Sequence, residues 1–160
     1  MTGQRSSILI SEVGPRDGLQ SVKATMQTAD KCRWIDALYA AGVREIEVAS
    51  FVLARLLPQM ADAAEVTRHA LTLPGLTVMA LVPNLQGARA AFAAGVHKIT
   101  IPVSASEAHS LANVRKTREQ MVDEVCAIVA LRNEIAPRVQ IEAGISTAFG
   151  CTLQGAVPEE

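Results

Sequence analysis

Ala40-Ala41-Gly42-Val43-Arg44-Glu45-Ile46-Glu47-Val48 returns 53 residues later as Ala93-Ala94-Gly95-Val96-His97-Lys98-Ile99-Thr100-Ile101. In each copy a small-residue helix end runs through a Gly into a β-branched strand. Glycine suits that junction because a helix C-terminus often needs a residue with positive φ. A recurrence two βα units apart suits a (β/α) barrel better than a doubly wound sheet. Chance similarity between two helix ends is the competing account.

Working outward, short β-rich runs alternate with longer amphipathic stretches. The strands are expected at Ile8 to Val13, Glu45 to Ala49, Thr77 to Leu81, Lys98 to Val103 and Val139 to Ile145. Four helices fall between them, from apolar residues at three- and four-residue steps. Cys32, Ile35 and Leu38 mark the first, and Met60, Ala63, Ala64, Thr67 and Leu71 the second. Leu85, Ala88 and Phe92 mark the third, and Met121, Val125, Ile128 and Ile135 the fourth. Thr28 and Asn84 stand where N-caps belong, Gly42 and Gly95 where helices end, and Pro137 stops the last. The reading is α/β: a TIM (β/α)8 barrel of which about five strands and four helices are present. Residues 1–160 form one domain, without linkers or low-complexity segments.

Composition narrows the function classes. Of 160 residues, 49% are hydrophobic and 19% charged, which favours a packed core over disorder. Fifteen Lys and Arg against 16 Asp and Glu leave a net charge of −1, too balanced for nucleic acid as the main partner. Three widely spaced cysteines build neither a disulfide framework nor a zinc ribbon. No apolar run approaches the ~18 residues that span a membrane, and the opening residues lack a signal-peptide plan. A cytoplasmic protein is expected.

Chemistry concentrates in Glu12-Val13-Gly14-Pro15-Arg16-Asp17-Gly18-Leu19-Gln20, where the first strand ends. A carboxylate there can hold a hard divalent cation, while the adjacent guanidinium stabilises negative charge on a carbonyl oxygen. The same residues also read as a turn held by a local salt bridge. Glu47 alternates with Ile46 and Val48 in a strand otherwise suited to burial. A buried carboxylate is costly, so Glu47 is expected to be paired, solvated at a barrel mouth or functional, unless its strand lies at an edge.

Glu12 to Gln20 resembles the signature of the 3-hydroxy-3-methylglutaryl-CoA lyase family, metal-dependent lyases and synthases on TIM barrels. Ile46 to Val52, Pro58-Gln59-Met60, Pro83-Asn84, Ser104 to Glu107 and Phe149-Gly150-Cys151 match in the same order. Related condensing synthases carry Thr-Leu before Arg-Asp-Gly; Gly14-Pro15 places this chain on the lyase side. The resemblance implies Asp17 as a metal ligand for Mg²⁺ or Mn²⁺, and Arg16 as the group stabilising an enolate. It implies Gln20 and Glu47 as catalytic neighbours, and Ser50 and Cys151 as substrate-lining residues alongside Arg16. It also implies an acyl-CoA substrate, cleavage to acetyl-CoA and acetoacetate, and a place in leucine degradation and ketone body metabolism.

A full barrel takes roughly 250 residues, so the resemblance implies the N-terminal part of one, with the C-terminal part absent. The family's late His-x-His pair and its catalytic Cys loop are not in this sequence. His69 is expected in solvent, His97 at the face away from catalysis, and His109 on the catalytic side. Cys32 and Cys126 are expected as core fillers; Glu142 has no assigned role. Strands one and five should be open edges, with Ile, Val and Leu of the would-be barrel interior facing water. Self-association, or pairing with a missing C-terminal half, follows, and the chain alone is expected to be nearly inactive. The alternatives are a non-catalytic association module and a related aldol-type lyase or synthase.

Overall fold

In a computed structural model describing residues 8–159, the two glycines of the repeat take the same conformation. Gly42 follows α1 (Thr28–Ala40) with φ +98°, and Gly95 caps α3 (Leu85–Ala94) with φ +87°. Each reversal feeds a strand: β2 (Glu45–Ser50) after α1 and β4 (Lys98–Ser104) after α3. The remaining main elements are β1 (Ser11–Glu12), α2 (Ala63–Ala70), β3 (Thr77–Leu81), α4 (Glu107–Val114), α5 (Arg118–Ile135) and β5 (Gln140–Ser146). A small hairpin, β6 (Gly150–Cys151) with β7 (Gly155–Ala156), follows.

All neighbouring strands of the main sheet are parallel and their order is β1-β2-β3-β4-β5. Each new strand adds beside the last without reversal. That is the winding of a (β/α) barrel, whereas a doubly wound sheet changes direction at a switch point. The five strands curl into part of a TIM barrel.

Aliphatic side chains of the strands turn toward the helices. Ile46, Val48 and Val78 are buried in one cluster with Ile35 of α1 and Val66 of α2. Ile99 and Ile101 are buried in a second with Phe92 of α3 and Met121 and Ile128 of α5. The alternate positions carry Glu45, Glu47, Lys98, Thr100 and Glu142 beside Met79 and Leu81 of β3, so the barrel interior is more polar than the aliphatic surface expected from sequence. The helices cover the other side, and that is where the aliphatic face gains most from burial. Lys98 bridges Glu142 at 2.6 Å and Glu45 at 3.5 Å, which gives Glu142 a partner; Glu45 and Lys98 are equivalent positions of the repeat.

Other expectations need correction. The first strand shortens to two residues. Gln27, not Thr28, is the N-cap of α1, because the Thr28 hydroxyl donates to Asp62 at 2.8 Å. Met60 lies in a 3₁₀ turn, Pro58–Met60, ahead of α2. An additional helix, α4, starts at the Ser106 cap and ends at Arg115, whose φ is +58°. Cys126 is exposed and Cys32 half-buried, so neither fills the core. His69 pairs with Asp36 at 2.8 Å across α1 and α2 instead of standing free in solvent. The Asn84 cap, which accepts from Gly87 N–H at 2.9 Å, and the stop before Pro137 are as expected.

Candidate active site

Directly after β1 the chain makes one wide helical turn of π type, Gly14–Gly18. Gly14 N–H donates to Glu12 Oε1 at 2.6 Å, and a Cβ on Gly14 would lie 2.8 Å from that oxygen. The absent side chain therefore lets the strand's last carboxylate close the turn. Pro15, buried, opens the turn with its preset φ, and Asp17 N–H returns to Val13 O at 2.7 Å.

This turn aims Arg16 at β2. Its Nε and Nη2 both reach Glu47 Oε2 at 2.5 Å, and Nη1 reaches Asp17 Oδ1 at 2.7 Å. Glu47 is only 1% exposed, so the expected buried carboxylate is a paired one. Burial pushes its pKa above the ordinary carboxylate value, and Arg16 opposes that shift without cancelling it. Ser50 Oγ is buried without a hydrogen-bond partner, and Glu47 Oε1 and Thr100 Oγ1 are buried facing each other short of full hydrogen-bond geometry, Thr100 still lowering the Glu47 pKa a little. Unpaired buried polar atoms are uncommon in folded proteins and are expected where ligands or water belong.

Above Arg16 lies a cleft of about 860 Å³ at the carboxyl ends of the strands. Arg16, Asp17, Gln20 and Ser50 line it, together with His109, Asn113 and Arg115 from α4 and the residue that ends it. Asp17 is the open carboxylate, 56% exposed, while Glu47 sits behind Arg16. Cys151 is placed elsewhere: it is buried in the β6–β7 hairpin, off the cleft wall, and its Sγ accepts from Leu153 N–H at 3.3 Å. His109 was expected on this side, whereas the helix that carries it, with Asn113 and the Arg115 that follows, escaped sequence reading because it is short. Its signals were the Ser106 cap and the Ser104-to-Glu107 run.

A divalent cation prefers six or more oxygen donors in a defined shell. Among the described residues no three His, Cys, Asp or Glu side chains converge into such a cage. Asp17 is a single donor already shared with Arg16, so these residues do not by themselves make a metal centre. Among the described residues, no helix is long and apolar enough to cross a membrane.

A parallel sheet wound in one direction, with a charged cleft at the carboxyl ends of its strands, defines part of a barrel of the enzyme-bearing (β/α) class. The chain belongs to the HMGL-like family, whose model matches residues 7–158. It is 39% identical over 150 residues to the 3-hydroxy-3-isohexenylglutaryl-CoA/hydroxy-methylglutaryl-CoA lyase of Pseudomonas aeruginosa, covering 94% of this chain and 49% of that protein. Over 157 residues it is 36% identical to the cytoplasmic 3-hydroxy-3-methylglutaryl-CoA lyase of Rattus norvegicus, covering 98% and 45%. Its fold matches the HMG-CoA lyase of Acinetobacter baumannii solved with coenzyme A and 3-methylmalate, with TM-score 0.87, 32% identity, and 94% and 48% coverage. The chain thus spans about half the length of the relatives it matches.

Proposed function

We propose that this chain carries the carbonyl-polarising part of a carbon–carbon lyase acting on 3-hydroxy-3-methylglutaryl-CoA or a close 3-hydroxyacyl-CoA analogue. The observation that supports this most is Arg16, fixed on two sides and facing a cleft. A guanidinium has five N–H groups. Three hold Glu47 and Asp17, which leaves one each on Nη1 and Nη2 for a ligand. Cleavage between C2 and C3 leaves an electron pair on C2, which delocalises onto the thioester oxygen as an enolate. A base takes the proton of the C3 hydroxyl, which becomes the ketone of acetoacetate, and a proton delivered from an acid to C2 gives acetyl-CoA, so one proton leaves and one returns. A donor preorganised toward that oxygen acts where charge develops. Glu47 holds the guanidinium plane, and Gln20 lies on the same wall. Asp17 is the carboxylate we assign to Mg²⁺ or Mn²⁺, a cation that would polarise the same oxygens.

Saturation-transfer NMR with 3-hydroxy-3-methylglutaryl-CoA tests the assignment. Transfer to the acyl protons is expected in the wild type, with binding about tenfold weaker in Arg16→Lys, which keeps the charge but loses the planar fork. No transfer in the wild type would overturn the reading. In the same samples Mn²⁺ should broaden signals near the cleft in the wild type but not in Asp17→Asn; equal broadening sinks the metal assignment.

We also infer that the open sheet edges associate with other chains. Ile8, Leu9 and Ile10 beside β1 are 88%, 62% and 69% exposed, and Ile145 and Phe149 at the β5 end are 68% and 100% exposed. Unpaired edges flanked by apolar side chains favour pairing with another polypeptide, whether a second copy or a C-terminal half. Sedimentation velocity should show a concentration-dependent shift to larger species. A monomer at every concentration, with a cooperative melt, would overturn this.

A further inference from the structure

Ser104, His109 and Ser146 form a chain at the carboxyl ends of β4 and β5 whose protons can be assigned by counting. For all three contacts of the chain to be hydrogen bonds at once, Ser146 Oγ donates to the Val103 carbonyl oxygen, 3.2 Å away, because that oxygen can only accept. The same Oγ is 3.2 Å from Ser104 Oγ; with its own proton engaged it accepts, and Ser104 donates. Ser104 Oγ is also 2.7 Å from His109 Nδ1. Having directed its single proton to Ser146, Ser104 accepts here, so Nδ1 carries the hydrogen. A neutral imidazole has one N–H, which leaves Nε2 with a lone pair. Ser104 is 4% exposed, so water does not compete at the middle of the chain.

His109 lines the same cleft as Arg16, Asp17 and Gln20. Arg16 and Arg115 there can only donate, and Asp17 accepts as an anion. In its imidazole form His109 offers Nε2 as an acceptor, which a carbonyl or carboxylate oxygen cannot satisfy. A hydroxyl can. We propose that His109 is a specificity-determining residue whose Nε2 accepts a hydrogen bond from the hydroxyl of a hydroxyacyl ligand. This rests on the acyl-CoA reading above, and adds to it the residue that selects the hydroxyl.

Two measurements separate the two claims. Long-range ¹H–¹⁵N spectra of the ligand-free chain at alkaline pH, where imidazoles are neutral, should place the His109 hydrogen on Nδ1; a hydrogen on Nε2 overturns the proposal. Calorimetric titration then compares 3-hydroxy-3-methylglutaryl-CoA with 3-methylglutaryl-CoA, which lacks the hydroxyl. The wild type should prefer the hydroxyl compound by about three- to tenfold, the range of one hydrogen bond. His109→Phe should bind both as the wild type binds the deoxy compound, and His109→Gln, with its carbonyl acceptor, should recover part of the preference. Equal wild-type affinities, or a preference undiminished in His109→Phe, overturn the proposal and leave the acyl-CoA reading standing. Binding of neither compound by the wild type removes that reading and this one together.

Discussion

Arg16→Ala should destabilise the chain by about 3–5 kcal/mol at neutral pH, because it strands a buried carboxylate. Glu47 is 1% exposed, Arg16 holds its Oε2, and Thr100 is the other polar side chain that eases its burial. Burial raises the Glu47 pKa even with Arg16 in place, and removing the guanidinium raises it further. The sign of the pH dependence follows. A carboxyl whose folded pKa exceeds its unfolded value loses stability as pH rises between the two, and regains it on acidification. The deficit of Arg16→Ala against wild type should therefore be largest at neutral pH and shrink as the solution is acidified toward the ordinary carboxylate pKa. Adding Glu47→Gln should restore much of the lost stability, since the buried group no longer needs a cation. Urea melts of the single and double variants across pH measure this. A deficit independent of pH, or a double variant no better than Arg16→Ala, would show that Glu47 does not depend on Arg16.

The repeat carries the second large effect. Ile46 and Ile99 occupy equivalent positions, both are fully buried, and each belongs to its own apolar cluster behind the sheet. Truncation to Ala loses the transfer energy of the side chain and leaves a cavity, together about 2–5 kcal/mol. Against the ~5–15 kcal/mol that stabilises a domain, either change should lower the urea midpoint severely, and the two should be similar. A loss under about 1 kcal/mol at either position would mean that its cluster is not close-packed.

Much of the fold was legible in one dimension because its signals are local. Gly42 and Gly95 stop helices through their own backbone freedom, Pro137 through its missing N–H, and Asn84 caps by bonding three residues ahead. Four of the five strands fall within a residue of where alternating β-branched runs placed them. The first was overread, because Ile8 to Ile10 are apolar enough for a strand while only Ser11 and Glu12 pair with β2. Likewise the Arg16-Asp17 turn was visible as a motif, and Glu47 as a carboxylate in need of a partner.

The identity of that partner was not visible. Arg16 and Glu47 are 31 residues apart and meet only because β1 pairs with β2 in a register that sets Glu12 beside Ile46. Tertiary structure also decided that the polar positions of β2, β4 and β5 face inward, since alternation gives two faces but not which one the helices cover. His109 meets the hydroxyl of Ser104, which meets that of Ser146, 42 residues away and joined by the β4–β5 register. Sequence alone thus determined most of the elements and the motif, through interactions a few residues long. Which side chains share a proton or an ion pair depended on strand register, and only the folded sheet sets that.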